Sequence, residues 1–152
     1  MWAETGAESA GRETNAGVSD ILVRDVILDG APSGLRIKSD ASRGGPVTPV
    51  RYEGVCLRGN RRPIDLDTHY DAGASGTAIP VYRDITLHDV TGTDGTLMLR
   101  GHDASNPIRA QFDGLHFVSR ARWQIESAEV SAGPGGVPRP RPSSTLLPQL
   151  AR

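Results

Sequence analysis

From Gly17 onward the apolar residues of this 152-residue chain fall in short groups, each bounded by Gly, Pro, Asp or Ser. Within a group the period is two: Ile21 and Val23 alternate with Leu22 and Arg24, while Leu35 and Ile37 alternate with Arg36 and Lys38. An extended chain sends neighbouring side chains to opposite faces, so these groups predict half-buried β-strands. No segment requires a helix.

The groups also repeat. Asp20-Ile21-Leu22-Val23-Arg24-Asp25-Val26 and Asp84-Ile85-Thr86-Leu87-His88-Asp89-Val90 share the pattern Asp, Ile, any, apolar, any, Asp, Val. Weaker copies hold Val50, Tyr52, Gly54 and Val55, then Ala110, Phe112, Gly114 and Leu115, so four copies start at residues 21, 50, 85 and 110. Each has a second apolar group downstream: Leu35 and Ile37, Ile64 and Leu66, Leu97 and Leu99, Trp123 and Ile125. Units of at least two strands that stack on their own copies predict an all-β parallel β-helix of about four coils, in which Ile21, Val50, Ile85 and Ala110 share one inward stack. An antiparallel sandwich is the competing architecture, but in a sandwich equivalent positions have no reason to meet.

The pattern divides the chain into three parts. Residues 1–16 are small, polar and without strand periodicity, and are expected to be irregular; residues 17–130 form the solenoid. Residues 131–152, rich in Pro, Gly and Ser, read as a flexible tail in which Leu146, Leu147 and Leu150 are loose. Uncapped coils present open strand edges, so self-association through the ends is expected.

Composition narrows the function. With 18 glycines, 11 prolines and no long apolar run, a transmembrane helix and a coiled coil are excluded. Seventeen Lys or Arg against 18 Asp or Glu leave a net charge of −1, which lacks the cation surplus of a nucleic-acid binder. The basic spots Arg61, Arg62, Arg120 and Arg122 are diluted by Asp65, Asp67, Asp71 and Glu126. The single cysteine, Cys56, allows no internal disulfide, and between Val55 and Leu57 it reads as a buried thiol. His69, His88, His102 and His116 show no metal-binding interval; His69 beside Tyr70 is the one placed to line a groove, and no metal or cofactor is expected. No basic region leads into an apolar stretch after Met1, so a secretory signal is absent and localisation stays open.

Gly34-Leu35-Arg36-Ile37-Lys38, followed by Arg43-Gly44-Gly45, resembles the pectin-degrading polygalacturonases of glycoside hydrolase family 28. The motif follows Gly17-Val18-Ser19-Asp20-Ile21 and precedes Val50-Arg51-Tyr52-Glu53 and Pro63-Ile64-Asp65-Leu66-Asp67 with Tyr70, in the order seen in that family, over roughly residues 11–118. The resemblance implies a right-handed parallel β-helix, a C-terminal part of a longer solenoid that hydrolyses α-1,4-linked galacturonate with inversion, in relatives that are exported. It also implies that Arg36 and Lys38 hold galacturonate carboxylates and that Tyr70 lines the same groove. Gly11-Arg12-Glu13 resembles the stretch after the family's Gly-His-Gly motif. That motif is missing here, as are the Asn-Thr-Asp and Asp-Asp motifs that carry its catalytic aspartates. No catalytic residue is therefore assigned, and the chain alone is expected to be inactive, since inversion needs a proton-donating carboxyl and a second carboxylate to activate water.

The residues themselves point the same way. Arg36 and Lys38, two apart on a strand, share a face at about 6.6 Å. A guanidinium fork holds a carboxylate by two parallel hydrogen bonds and an ammonium adds a mobile charge, so the pair suits a polyanionic sugar. The structural alternative is a ladder: superposed coils place residue 36 over Asp65 and residue 38 over Asp67. Asp65 and Asp67 also share one face, at a separation compatible with inversion, but an aspartate with a cation stacked on it is a poor proton donor.

Overall fold

The computed structural model describes residues 8–10, 14–119 and 121–136. Strands numbered in chain order build two large parallel sheets. The first contains β1 (Glu8–Ala10), β4 (Ser33–Lys38), β7 (Arg62–Asp67), β10 (Thr96–Arg100) and β12 (Arg122–Glu126), side by side in that order. The second runs from β2 (Ile21–Arg24) through β6 (Val50–Arg58), β9 (Ile85–Gly92) and β11 (Ile108–Phe117) to β13 (Ala128–Ala132), and β3 (Ile27–Asp29) also pairs with β6. A short third sheet joins β5 (Gly45–Val47) to β8 (Pro80–Tyr82). Every pairing is parallel and joins equivalent strands of successive coils, which makes the molecule a right-handed parallel β-helix and removes the sandwich.

The register is the one the repeat predicts. Ile21 pairs with Val50, Val50 with Ile85 and Ile85 with Ala110. On the other sheet Leu35 pairs with Ile64, Ile37 with Leu66, Leu66 with Leu99 and Leu99 with Ile125. These inward lines form one continuous core with Leu57, Tyr82, Leu87 and Phe112. At the end rungs the same positions lose a neighbour, and Ile21 and Ile125 are exposed.

The two aspartates of the repeat have a backbone cause. Asp20 and Asp84 (φ 57° and 53°) enter the strand, and Asp25 and Asp89 (φ 53° and 50°) sit at a bend within it, all in the left-handed region. The register places Gly54 (φ 61°) and Gly114 (φ 70°) at that same bend in the weaker copies. Only Gly, and next to it Asp or Asn, enters this region at low strain, so each coil turns its corner with one or the other.

Three local readings change. β1 pairs with β4, Ser9 opposite Arg36, although Glu8-Ser9-Ala10 has no apolar pattern; its attachment is backbone hydrogen bonding. β13 extends to Ala132 and adds a rung on β11, and the turn after it binds back through a Gly114 N–H to Gly136 carbonyl bond of 3.1 Å. Cys56 is only half-buried, because Val55 and Leu57 take the inward positions and leave the thiol on the outward face. The remaining tail residues, Gly11-Arg12-Glu13 and Arg120 lie outside the described residues.

Candidate functional site

The outward face of the first sheet is polar where the register aligns β4, β7 and β10. Arg36 lies opposite Asp65 and Lys38 opposite Asp67, as the repeat predicts. Asp67 in turn lies opposite Arg100. Both aspartates are buried, Asp65 completely. A charge taken from water needs partners, and each has its own set. Asp65 Oδ2 accepts a 2.9 Å hydrogen bond from the Ser33 hydroxyl and lies 3.2 Å from Arg36 Nε and 3.9 Å from Arg62 Nη1.

Asp67 is held differently. Arg100 donates from Nε to Oδ1 and from Nη2 to Oδ2, both at 2.8 Å, and again from Nη2 to the His69 carbonyl at 2.7 Å. The His69 N–H donates to Asp67 Oδ1 at 2.8 Å. The hydrogen bond to Asp67 raises the pKa of the Arg100 guanidinium above its ordinary value, so this cation stays charged. Beneath the strand the buried Tyr82 hydroxyl donates to the Asp67 carbonyl at 3.2 Å, and burial, with Asp67 close by, holds its phenol well above the ordinary tyrosine pKa.

Tyr70, just past β7, brings the predicted binding residues together. The Arg36 guanidinium carbon lies 4.9 Å and the Lys38 ammonium 4.5 Å from the centre of its ring. Such cation–π contacts fix side-chain direction without using hydrogen-bond donors. Among the described residues no carboxylate stands within ion-pair distance of Lys38, and Arg36 approaches Asp65 Oδ2 through a buried Nε that makes no hydrogen bond to it. Four cations, Arg36, Lys38, Arg62 and Arg100, face Asp65 and Asp67, with Glu126 in register beside Arg100 and Asp40 and Asp71 at the border. Beside this cluster a cavity of about 100 Å³ is bordered by Lys38, Tyr70, Arg43 and Asp71. A larger open hollow of about 470 Å³ lies on the second sheet, but its cation, Arg109, is already held by Glu129 at 2.9 Å.

His69 lies at the edge of this face. Its ring stacks on His102, with centres 5.6 Å apart and planes at 12°, while Thr68 Oγ1 approaches its Nδ1 at 3.2 Å. Among the described residues no three His, Cys, Asp or Glu side chains gather as metal ligands. Asp67 is engaged as a structural acceptor through both oxygens by Arg100 and His69, and Asp65 through Oδ2 by Ser33, while the buried Asp65 Oδ1 accepts no hydrogen bond among the described residues.

Arg100 is the residue that the repeat did not single out. Counting from Ile85 as Arg36 counts from Ile21 would stack it on Asp65, but the corner between β9 and β10 is shorter than the one between β6 and β7. Anchoring on the apolar pair Leu66 and Leu99 would have placed it on Asp67.

Comparison with known proteins agrees with the fold. Residues 6–133 match the glycosyl hydrolases family 28. The chain is 39% identical over 123 residues to an endo-polygalacturonase of Pectobacterium carotovorum subsp. carotovorum, covering 80% of this chain and 30% of that protein. It is 38% identical over 122 residues to a polygalacturonase of Ralstonia solanacearum, covering 72% of this chain and 23% of the relative. The solved polygalacturonase from Erwinia carotovora ssp. carotovora superposes with a TM-score of 0.77 at 38% identity, over 82% of this chain and 33% of that one. The chain thus spans about a third or less of these relatives. With the parallel solenoid and the matched residues both in hand, it belongs to glycosyl hydrolases family 28, the pectin-degrading polygalacturonase family.

Proposed function

We propose that this stretch of chain supplies the carboxylate-holding part of a groove for α-1,4-linked galacturonate in a polygalacturonase-type hydrolase, and that Arg36, Lys38 and Tyr70 make the contact. One observation carries the reading: two cations are oriented over one tyrosine ring, and among the described residues the ammonium of Lys38 has no carboxylate within ion-pair distance. A sugar acid fits such a place, since its carboxylate takes the guanidinium fork and the ammonium while its ring packs on the phenol. Asp67 supplies neither acid nor base, because both its oxygens are taken by Arg100 and the His69 N–H, and Asp65 is fully buried with Arg36 and Arg62 beside its Oδ2, which keeps it from acting as a proton donor. Hydrolysis by the whole enzyme would rest on carboxylates outside this face.

The test is titration of the chain with an oligogalacturonate and, in parallel, with the neutral oligogalactose of the same length, together with a reducing-end assay on polygalacturonate. The expected result is binding of the acid alone, weakening as salt rises, with no reducing-end release. Lys38→Ala should lower affinity about tenfold while shifting stability by less than about 1 kcal/mol, whereas Arg36→Ala, which takes a cation from the buried Asp65, should lose both affinity and stability. Equal binding of the neutral sugar, or none of the acid, would remove the carboxylate site.

A further inference from the structure

Asp67 has a cation in register on each side, Lys38 on β4 and Arg100 on β10. Neighbouring strands lie about 4.8 Å apart, so either side chain can reach the carboxylate. On the second sheet a cation opposite a carboxylate pairs with it, as Arg24 does with Glu53 and Arg109 with Glu129, both at 2.9 Å. Lys38 does not. Its ammonium lies over Tyr70 instead, and the carboxylate opposite it is gripped by Arg100 through two oxygens, with a third bond from the same guanidinium to the His69 carbonyl.

We propose that Arg100 is a positioning residue for Lys38: by occupying Asp67 it keeps that carboxylate from capturing the ammonium and leaves Lys38 beside Arg36, open to a ligand carboxylate. The physical basis is unequal competition. A planar fork matches two carboxylate oxygens at once, whereas an ammonium meets them as a single point charge. The His69 N–H strengthens the outcome, because it uses Oδ1 from the other side and fixes the carboxylate in the orientation the fork needs. Lys38 then lies over the ring face, 4.5 Å from its centre. This inference rests on the carboxylate-binding reading of the same face.

Lys38 is the single lysine of the chain, which makes the arrangement directly readable. Reductive methylation with ¹³C-formaldehyde gives one side-chain dimethylamino signal besides that of the N-terminus. In the unmutated protein its methyl protons should be shifted upfield by the Tyr70 ring current, and Tyr70→Leu should abolish that shift. In Arg100→Met the ammonium should swing to Asp67, the upfield shift should collapse, and oligogalacturonate affinity of the unmethylated protein should fall about tenfold. Adding Asp67→Asn to Arg100→Met removes the competing charge and should restore both shift and affinity. A merely structural role for Arg100 predicts no such restoration.

An unchanged methyl shift in Arg100→Met, or a double variant no better than the single one, overturns the proposal. If Arg100→Met does not fold, Arg100→Gln takes its place, since a neutral amide keeps a hydrogen-bond donor at Asp67 without the competing charge and should still diminish the shift. Should the unmutated protein fail to bind oligogalacturonate, the binding reading falls, while the methyl signal still decides what Arg100 does to Lys38.

Discussion

The two large sheets carry the same kind of residue in opposite ways. On the outer face of the second sheet, cations and carboxylates of neighbouring coils pair in solvent: Arg24 with Glu53, Arg58 with Asp29, Arg109 with Glu129, each at 2.9 Å. Their side chains are about half exposed, from 30 to 62%. On the first sheet Asp65 and Asp67 are buried, and two cations are turned onto a tyrosine. A pair in solvent closes on itself and needs nothing further, while a buried carboxylate fixes a cation from one side. Charge matching between coils is therefore common to the whole solenoid. What marks the candidate site is the burial, with two cations on one ring.

Breaking the buried side should have the largest effect. Asp67→Ala removes both bonds to the Arg100 fork and the acceptor of the His69 N–H. Loss of one partner from a buried pair costs about 3–5 kcal/mol, and the partial exposure of Arg100 brings the expectation to about 2–4 kcal/mol. Urea denaturation of the variant should show it as a lowered midpoint at unchanged slope. A loss no larger than that of a surface pair would make the two sheets alike and remove the contrast.

The corner of the second sheet comes next. At Gly114 (φ 70°) a Cβ would stand 2.7 Å from Asp89 Oδ1, in a backbone conformation that disfavours side chains. Gly114→Val should cost about 2 kcal/mol, from the left-handed strain of roughly 1–2 kcal/mol together with the contact. Gly114→Asn should cost less, because this side chain tolerates the region, and thermal unfolding of the two variants ranks them. Equal losses would assign the cost to the contact instead of the backbone.

These corners show how much of the molecule was legible beforehand. Period two and the recurring Asp-Ile-x-apolar-x-Asp-Val pattern were enough for parallel coils and for the register of Arg36 on Asp65 and Lys38 on Asp67, because stacked apolar lines permit no slip without turning every side chain over. The end rungs were not legible. β1 is held by its backbone and β13 offers only Val130 as a large apolar residue, so neither leaves a period in the sequence. Cys56 was misplaced because its two apolar neighbours suggested burial, although alternation puts it opposite to them. At the site the motif gave Arg36, Lys38 and Tyr70, whereas Arg100 required knowing the length of a corner. The burial of Asp65 also depended on tertiary packing, since Ser33 satisfies it from a neighbouring strand.

Tyr82, on β8 and bonded to β7 of the first sheet, gives the fold a dependence on alkaline pH. Its phenol is held above the ordinary value by burial, with Asp67 adding to the shift, so the folded protein keeps a proton that the unfolded chain loses. That contribution is fully present below the unfolded tyrosine pKa of about 10 and is lost as pH rises through the folded value. Stability should therefore fall on going above about pH 10, and Tyr82→Phe, although less stable at neutral pH by about 1 kcal/mol for the lost hydrogen bond to the Asp67 carbonyl, should fall less steeply. Chemical denaturation at pH 8 and at several values above 10 gives both slopes; parallel slopes would mean that the phenol does not carry the effect.

The smallest effect is expected where the second sheet pairs its charges in solvent. Glu53→Gln keeps the shape and removes the charge opposite Arg24, whose side chain is 57% exposed. An exposed pair of this kind contributes about 0.2–1 kcal/mol, and salt screens it further, so the variant should differ from the unmutated protein by less than about 1 kcal/mol at low salt and converge with it at about 1 M. Oligogalacturonate affinity should not change, since Glu53 lies on the other sheet. The same neutral substitution on the first sheet, Asp67→Asn, releases the Arg100 fork while leaving Lys38 no carboxylate to move to. It should therefore lower stability and leave the Lys38 methyl shift in place. If Glu53→Gln matched it in stability and in insensitivity to salt, burial would not be what separates the two faces, and the exposed ladder would have to be reconsidered as a second site.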